Sequence, residues 1–297
     1  MGSACTILLA AMLFTLACGS TRERPVHFGV IGPPSSPAAF EAGFLPSPSC
    51  IVHSAPAFSP DETEVIFSAY FPEERPRLDR IFASQWDGER WTRAEVVPFS
   101  GGHDDNWPWF SPDGTRLYFS SRRPPAAGGR PTGEYGLWYV DRSDEGWTEP
   151  RQIVVPGDLG RDQGAVYVGA DLPGGYGSLD IYRLDFRDGS YGMPENLGPA
   201  VNTPKEEYGP CAPRSGEFLV FTRFDEEREP KADLYVCFRM TDGTWSPSRA
   251  LGPVESAFRG GRFAGLSPDE SCLFFVGTGG TWYWVDAAVI DRLRPEP

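Results

Sequence analysis

The stretch NWPWFSPDGTRLYFSSRRP, residues 106–124, sets a Ser-Pro-Asp-Gly turn between two runs rich in aromatic and β-branched residues. Proline presets φ at the second turn position, aspartate bonds the local backbone, and glycine takes a conformation that side chains resist. The stretch therefore reads as a tight hairpin, and it is not alone. APAFSPDETEVIFSAY from Ala55, GPCAPRSGEFLVFTRF from Gly209 and FAGLSPDESCLFFVGT from Phe263 have its shape. GRDQGAVYVGADL from Gly160 keeps only the second half. Asp61, Asp113, Asp162, Ser215 and Asp269 mark the turns, about 50 residues apart.

Every unit continues in the same way. After the turn come a β-rich run (EVIFSAY, RLYFSSR, AVYVGAD, FLVFTRF, CLFFVGT), a variable loop, and a second run (DRIFAS, GLWYVDR, DIYRLD, DLYVCF, TWYWVDA). A short Gly-containing turn then leads to WTRAEVV, WTEPRQIV, YGMPENLG or WSPSRALG. Four short strands per unit at this period predict an all-β fold, a β-propeller in which each unit is one blade. Five blades are read directly, with six as the alternative. The fifth unit lacks a fourth strand of its own, and SPAAFEAGFLPSP from Ser36 aligns with MPENLGPAVNTP from Met193, the fourth strand and exit of unit three. The N-terminal segment is thus expected to complete the last blade and remove the open sheet edges.

The chain of 297 residues carries 34 Gly, 30 Pro and a formal net charge of −14, with no basic stripe. Nucleic acid is excluded as a partner by that charge, and so is direct binding to an anionic lipid surface. CTILLAAMLFTLAC, residues 5–18, has the length and composition of an export-signal core and is too short to span a bilayer. Its end, TLAC before Gly19, is similar to a bacterial lipoprotein cleavage box with Cys18 as the lipidated residue; the alternative is ordinary secretion. The expected organisation is a signal over residues 1–17, a tether over 18–35 and one propeller domain over 36–297. Cys50, Cys211, Cys237 and Cys272 show no metal-like spacing and read equally as buried thiols or as disulfide partners.

With these motifs aligned, the chain resembles the WD40-like propeller repeats of the Pro-Asp type, a group that includes the Tol-system periplasmic propeller. FSPDETEVIF, FSPDGTRLYFSSRRP, GYGSLDIYR and LSPDESCLFFV carry the resemblance. It implies an exported bacterial envelope protein and leaves function open, because the group spans interaction scaffolds and propeller domains of peptidases.

Equivalent points of successive blades converge on the central channel. His53, Asp104, Asp105, Glu206, Glu207, Tyr208, Arg259 and Arg262 are therefore expected around one mouth as a ligand site. Carboxylates with a histidine could hold a divalent cation, and mixed charges could orient a sugar or peptide; no cofactor is otherwise indicated. Arg122 and Arg223 are expected to bond the aspartate that opens the third strand, as at Asp79, Asp180 and Asp233. Trp91, Trp147, Tyr191 and Trp245 recur at blade register and read as packing. The Gly-x-Ser-x-Gly elbow of α/β-hydrolases does not occur. Two functions follow: a non-enzymatic scaffold for an envelope protein or peptide, or a carbohydrate-active or small-ligand propeller with its site in the channel. Carboxylates at suitable separation in the channel would favour the second, and a channel plugged by apolar side chains would count against it.

Overall fold

The computed structural model describes residues 32–40, 42–124, 135–153, 164–187, 190–252 and 258–296. Cys18, His27, Asp162 and the whole segment 1–31 lie outside the described residues. Five small antiparallel sheets form the ring of a five-bladed β-propeller. Blade 1 runs from a broken inner strand, Ile51–Val52 and Ala57–Phe58, through Glu64–Tyr70 and Arg80–Gln85 to Glu95–Val96. Blade 2 has Asp105–Phe110, Arg116–Ser121 and Gly136–Ser143, edged by Gly146–Trp147 and Arg151–Gln152. In blade 3, Gly164–Ala170 pairs with Asp180–Arg187, which carries Ser190–Tyr191 and Glu195–Asn196 on its other edge. Blade 4 is Glu206–Cys211, Phe218–Phe224, Ala232–Phe238 and Arg249–Ala250. Blade 5 is Arg262–Leu266, Cys272–Val276, Trp282–Asp286 and, from the other end of the chain, Ala38–Ala39.

That closure follows the sequence alignment. Ala38 and Ala39 pair with Trp284 and Tyr283, as Glu195 and Asn196 pair with Arg183 and Tyr182 in blade 3. One backbone hydrogen bond then repeats in all five blades. The amides of Val97, Ile153, Leu197, Leu251 and Phe40 donate to the carbonyls of Ile81, Leu137, Ile181, Leu234 and Trp282.

The second strand of each blade reads as an apolar run because both of its faces are covered by neighbouring blades. Strand periodicity sends alternate residues to opposite neighbours. Leu117 and Phe119 pack with Ile66 and Ile81 of blade 1, while Tyr118 joins Leu184 and Tyr191 of blade 3. Leu219 and Phe221 pack with Ile181 and Val201 of blade 3, while Val220 joins Leu273, Phe275 and Val285 of blade 5. The fifth junction is aromatic. Phe44 lies against Phe67 and Trp91 of blade 1 and Trp282 of blade 5, and Trp282 Nε1 donates to the Ser54 carbonyl at 2.7 Å. Trp147, Tyr191 and Trp245 sit in the interblade clusters as expected.

The Ser-Pro-Asp turn is built by its side chains. Asp113 Oδ1 accepts from Ser111 Oγ at 2.7 Å and from both the amide and hydroxyl of Thr115, while Ser111 Oγ accepts from the Arg116 amide. Asp61 and Asp269 repeat the arrangement with Ser59 and Thr63, and with Ser267 and Ser271. In the four described turns the fourth residue is left-handed: Glu62 at φ 58°, Gly114 at 72°, Gly216 at 66° and Glu270 at 60°. Blades 1 and 5 therefore put a glutamate where blades 2 and 4 have a glycine.

Candidate functional site

Three inner strands carry a bulge at one level, between Asn106 and Trp109, Tyr208 and Cys211, and Arg262 and Gly265. A left-handed residue makes each bulge: Trp107 at φ 50°, Gly209 at 60° and Phe263 at 54°. For a tryptophan and a phenylalanine this conformation costs about 1–2 kcal/mol each. The Trp107 amide donates to Ser68 Oγ at 3.4 Å and the Phe263 amide to Thr222 Oγ1 at 3.0 Å, so a hydroxyl of the preceding blade's second strand meets both exposed donors. Blade 1 breaks its inner strand at the corresponding point.

Register then decides which side chains look inward. Asn106, Tyr208 and Arg262 lie opposite Ser120, Thr222 and Val276, and the His53 amide donates to the Ser68 carbonyl. These four share one position in blades 2, 4, 5 and 1. Four rings meet beside it. His53 lies 5.0 Å from Phe263 and 6.4 Å from Trp107, Trp107 lies 5.3 Å from Phe263 and 6.2 Å from Tyr208, and Tyr208 lies 5.5 Å from Phe263. Blades 2 and 4 are not neighbours, nor are blades 2 and 5. Their rings can touch only on the axis, so the axis at this level is occupied by aromatic side chains.

Asp105 and Glu207 hold the adjacent register and point the other way. Both are fully buried and committed to arginine. Asp105 accepts from Arg123 at 2.8 Å and from Ser100 and Ser121. Glu207 accepts from Arg223 at 2.6 Å and from the amide and hydroxyl of Thr203. Burial pushes the Glu207 carboxyl above its ordinary range, against the hydrogen bonds from Thr203 and Arg223. Arg223 thus bonds an inner-strand acid, not the aspartate opening the third strand as anticipated. Its counterpart in partnership is Arg123; Arg122 stands 3.7 Å from Asp104 and lies over the Tyr135 ring.

The remaining expected residues divide. Asp104 stays near the mouth, accepting from the Asp79 amide at 2.9 Å and the Tyr135 hydroxyl at 2.8 Å. Burial, with Asp104 adding to it, raises the Tyr135 phenol well above its usual value. His53 Nδ1 is 2.7 Å from Asp79 Oδ2, which also accepts from Asn106 Nδ2 at 3.3 Å. Burial pushes the Tyr208 phenol up to about 12, with the Arg262 charge opposing. Glu206 accepts from Ser178 Oγ at 2.9 Å, and Arg259 donates its guanidinium to the Glu229 carbonyl while its backbone forms an isolated β-bridge with that of Asp233. The axis therefore brings together His53, Tyr208 and Arg262, adds Asp79, Asn106, Trp107 and Phe263, and leaves Asp105 and Glu207 in the scaffold.

Among the described residues, no three His, Cys, Asp or Glu side chains are placed to hold a metal ion. Cys50, Cys211, Cys237 and Cys272 are free thiols, and burial pushes Cys211 and Cys237 up to about 12. No described helix is long and apolar enough to cross a membrane.

No family model matches the sequence, and no curated protein does. Solved structures do resemble the fold. TolB from Acinetobacter baumannii superposes with a TM-score of 0.46 at 16% identity over 79% of this chain, which spans 54% of the TolB chain. A gluconolactonase from Xanthomonas campestris gives 0.46 at 15% identity, covering 87% of this chain and 97% of that one. An α-L-arabinofuranosidase from Lactobacillus brevis gives 0.47 at 16%, covering 79% and 86%. No activity is carried over from any of them.

Proposed function

We propose that this protein is a non-enzymatic binding module of the bacterial cell envelope, exported and held to the membrane by a lipid on Cys18, that presents its axial mouth and neighbouring loops to an envelope protein or peptide. One observation carries the reading: aromatic rings occupy the axis, and two of the four acids expected around the channel, Asp105 and Glu207, are buried against Arg123 and Arg223. A hydrolase acting on sugars needs two carboxyl groups facing the substrate. Here the axis carries stacking surface, and the carboxyls left near it, Asp79 and Asp104, are engaged by His53, Asn106 and Tyr135, which suits recognition. The charged loops YFPEERPRLD and RFDEEREPKAD follow the second strands of blades 1 and 4 and extend the surface available to a partner; most of RRPPAAGGRPTGEYG lies outside the described residues.

One feature favours the second reading, a small-ligand or carbohydrate-active channel. The His53–Asp79 pair resembles an oriented base, and it stands beside a tryptophan. Screening the intact chain against peptide arrays, glycan arrays and divalent cations, with Trp107→Ala and Asp104→Ala alongside, separates the two. Peptide binding that is lost in both variants supports the module. Glycan turnover abolished by His53→Ala overturns it. For the anchor, radiolabelled palmitate should enter the wild type and not Cys18→Ser; an unlabelled wild type beside a labelled control lipoprotein ends that part of the proposal.

A further inference from the structure

Arg262 differs from five other arginines of the blades, although the half-buried Arg239, which lies over the Trp245 ring, and the exposed Arg151 and Arg249 likewise meet no carboxylate among the described residues. Arg116, Arg123, Arg142, Arg183 and Arg223 each meet a carboxylate, Asp141, Asp105, Glu64, Asp185 and Glu207 respectively. No carboxylate among the described residues lies within ion-pair distance of Arg262, although it is half-buried at the axial register and its Nε is buried without a hydrogen-bond partner. Removing a guanidinium from water without a counter-charge is costly, and such groups are found paired. Two more buried polar atoms at this level lack partners: Trp107 Nε1 and Asn106 Oδ1, the latter on a residue with no exposed surface. Buried polar atoms are almost always bonded. Three orphans within one register of two bulges, two of them donors, describe a site awaiting an acceptor. The bulges that aim them are held by the strained residues Trp107 and Phe263, and strain of this kind concentrates where ligands bind.

We infer that the axial mouth binds a carboxylate, presented by a peptide C-terminus or an acidic side chain, through the Arg262 guanidinium and the Trp107 indole N–H, with the Trp107, Tyr208 and Phe263 rings packing the neighbouring apolar part. The planar guanidinium matches two carboxylate oxygens, and the indole adds a donor. Asn106 Oδ1 is left to accept from the amide of the same peptide. This inference rests on the reading of the mouth as a peptide-recognition surface.

Hippurate tests it directly, because it joins an aromatic ring, an amide and a free carboxylate; hippuramide is its neutral counterpart. The intact chain has nine tryptophans, and loss of one indole N–H signal in Trp107→Phe assigns the Trp107 resonance. Hippurate should shift that signal saturably. Hippuramide should bind about tenfold more weakly or worse, and Arg262→Gln should weaken hippurate by a similar factor, as expected for one charge-assisted pair. Because Arg262 has no ion-pair partner among the described residues to lose, the thermal midpoint of Arg262→Gln should stay within about 2 °C of the wild type. An unmoved indole signal at tens of millimolar hippurate, or equal affinity for the two probes, overturns the inference. Unchanged affinity in Arg262→Gln does the same. Peptides with free C-termini, amidated C-termini and Glu→Gln replacements then assign the source of the carboxylate. Array peptides that bind the mouth regardless of carboxylate would sink this inference and leave the binding module standing; hippurate binding without any peptide hit would do the reverse.

Discussion

Phe44→Ala tests whether the N-terminal arm is part of the folded ring or merely rests on it. Phe44 is 1% exposed and bridges the seam, 5.8 Å from Phe67 and 5.7 Å from Trp91 in blade 1 and 5.8 Å from Trp282 in blade 5. Its carbonyl accepts from the Ala94 amide at 2.8 Å, fixing the arm to the outer edge of blade 1. Burial of the ring is worth about 1.5–3 kcal/mol in transfer terms. A cavity walled by three rigid aromatic rings collapses poorly, which places truncation at about 3–5 kcal/mol. For a domain whose total stability is on the order of 5–15 kcal/mol, that is a large fraction. Equilibrium urea unfolding should show a lower midpoint at unchanged slope, and Met193→Ala, at a site 71% exposed, should move it by less than about 0.5 kcal/mol. Hydrogen exchange adds a local reading. The Phe40 amide, bonded to the Trp282 carbonyl at 2.8 Å, should be protected in the wild type to the level of the blade 5 strands. A Phe44→Ala effect below about 1 kcal/mol, together with a rapidly exchanging Phe40 amide, would mean that the arm undocks independently, and the closed ring would be refuted.

Three further outcomes follow from the same interactions. Arg223→Met leaves Glu207 buried without its partner and should cost about 3–5 kcal/mol in urea unfolding, whereas the double variant with Glu207→Met should recover much of the loss. Gly216→Ala and Gly114→Ala both place a side chain in left-handed backbone, but a Cβ at Gly216 meets nothing within 4 Å while one at Gly114 would lie 2.8 Å from Pro60 Cδ. The first should cost about 1 kcal/mol and the second measurably more, by thermal or urea midpoint. The Asp113 carboxyl is pushed up by burial, but hydrogen bonds from Thr115 and Ser111 outweigh this and hold it below its ordinary range. A depressed folded value contributes stability above the unfolded pKa and loses it as pH falls through the folded one. The stability gap between wild type and Asp113→Ala should therefore be full near pH 7 and shrink below about pH 4.

The ring was legible because its determinants are local and repeated. Ser-Pro-Asp marks the hairpin, alternation marks the two faces of each second strand, and the match of residues 36–48 to the end of unit three places the closing strand at the observed register. Glu62 and Glu270 were less legible, since nothing in the sequence says that a glutamate accepts left-handed backbone; the serine and aspartate before it hold the turn regardless. Register at the axis was missed for a definite reason. Asp104 with Asp105, and Glu206 with Glu207 and Tyr208, were grouped as one wall, but neighbours along a strand point to opposite faces. A usable signal was present: the inner-strand acids of blades 2 and 4 each have an arginine at or just past the end of the second strand, Arg223 and Arg123, and pair with it.

That co-occurrence also locates recognition. Where a feature recurs with its partner, as Asp105 with Arg123 and Glu207 with Arg223, the ring needs it and each blade satisfies it internally. A feature present in one blade without its partner is not required by the repeat. His53, Asn106, Tyr208 and Arg262 share one register yet have four different chemistries. Packing alone would tolerate the same residue at each position, and the bulges beneath them carry strain that a regular strand would avoid. Single orphaned polar atoms occur in the scaffold too, at Trp138 Nε1, Arg183 Nε and Trp245 Nε1, but divergence at a point of structural equivalence with three of them gathered there marks this register. The shared aspartate-capped turn of residues 106–124 belongs to the scaffold, and the residues just before it, Asn106 and Trp107, belong to the mouth.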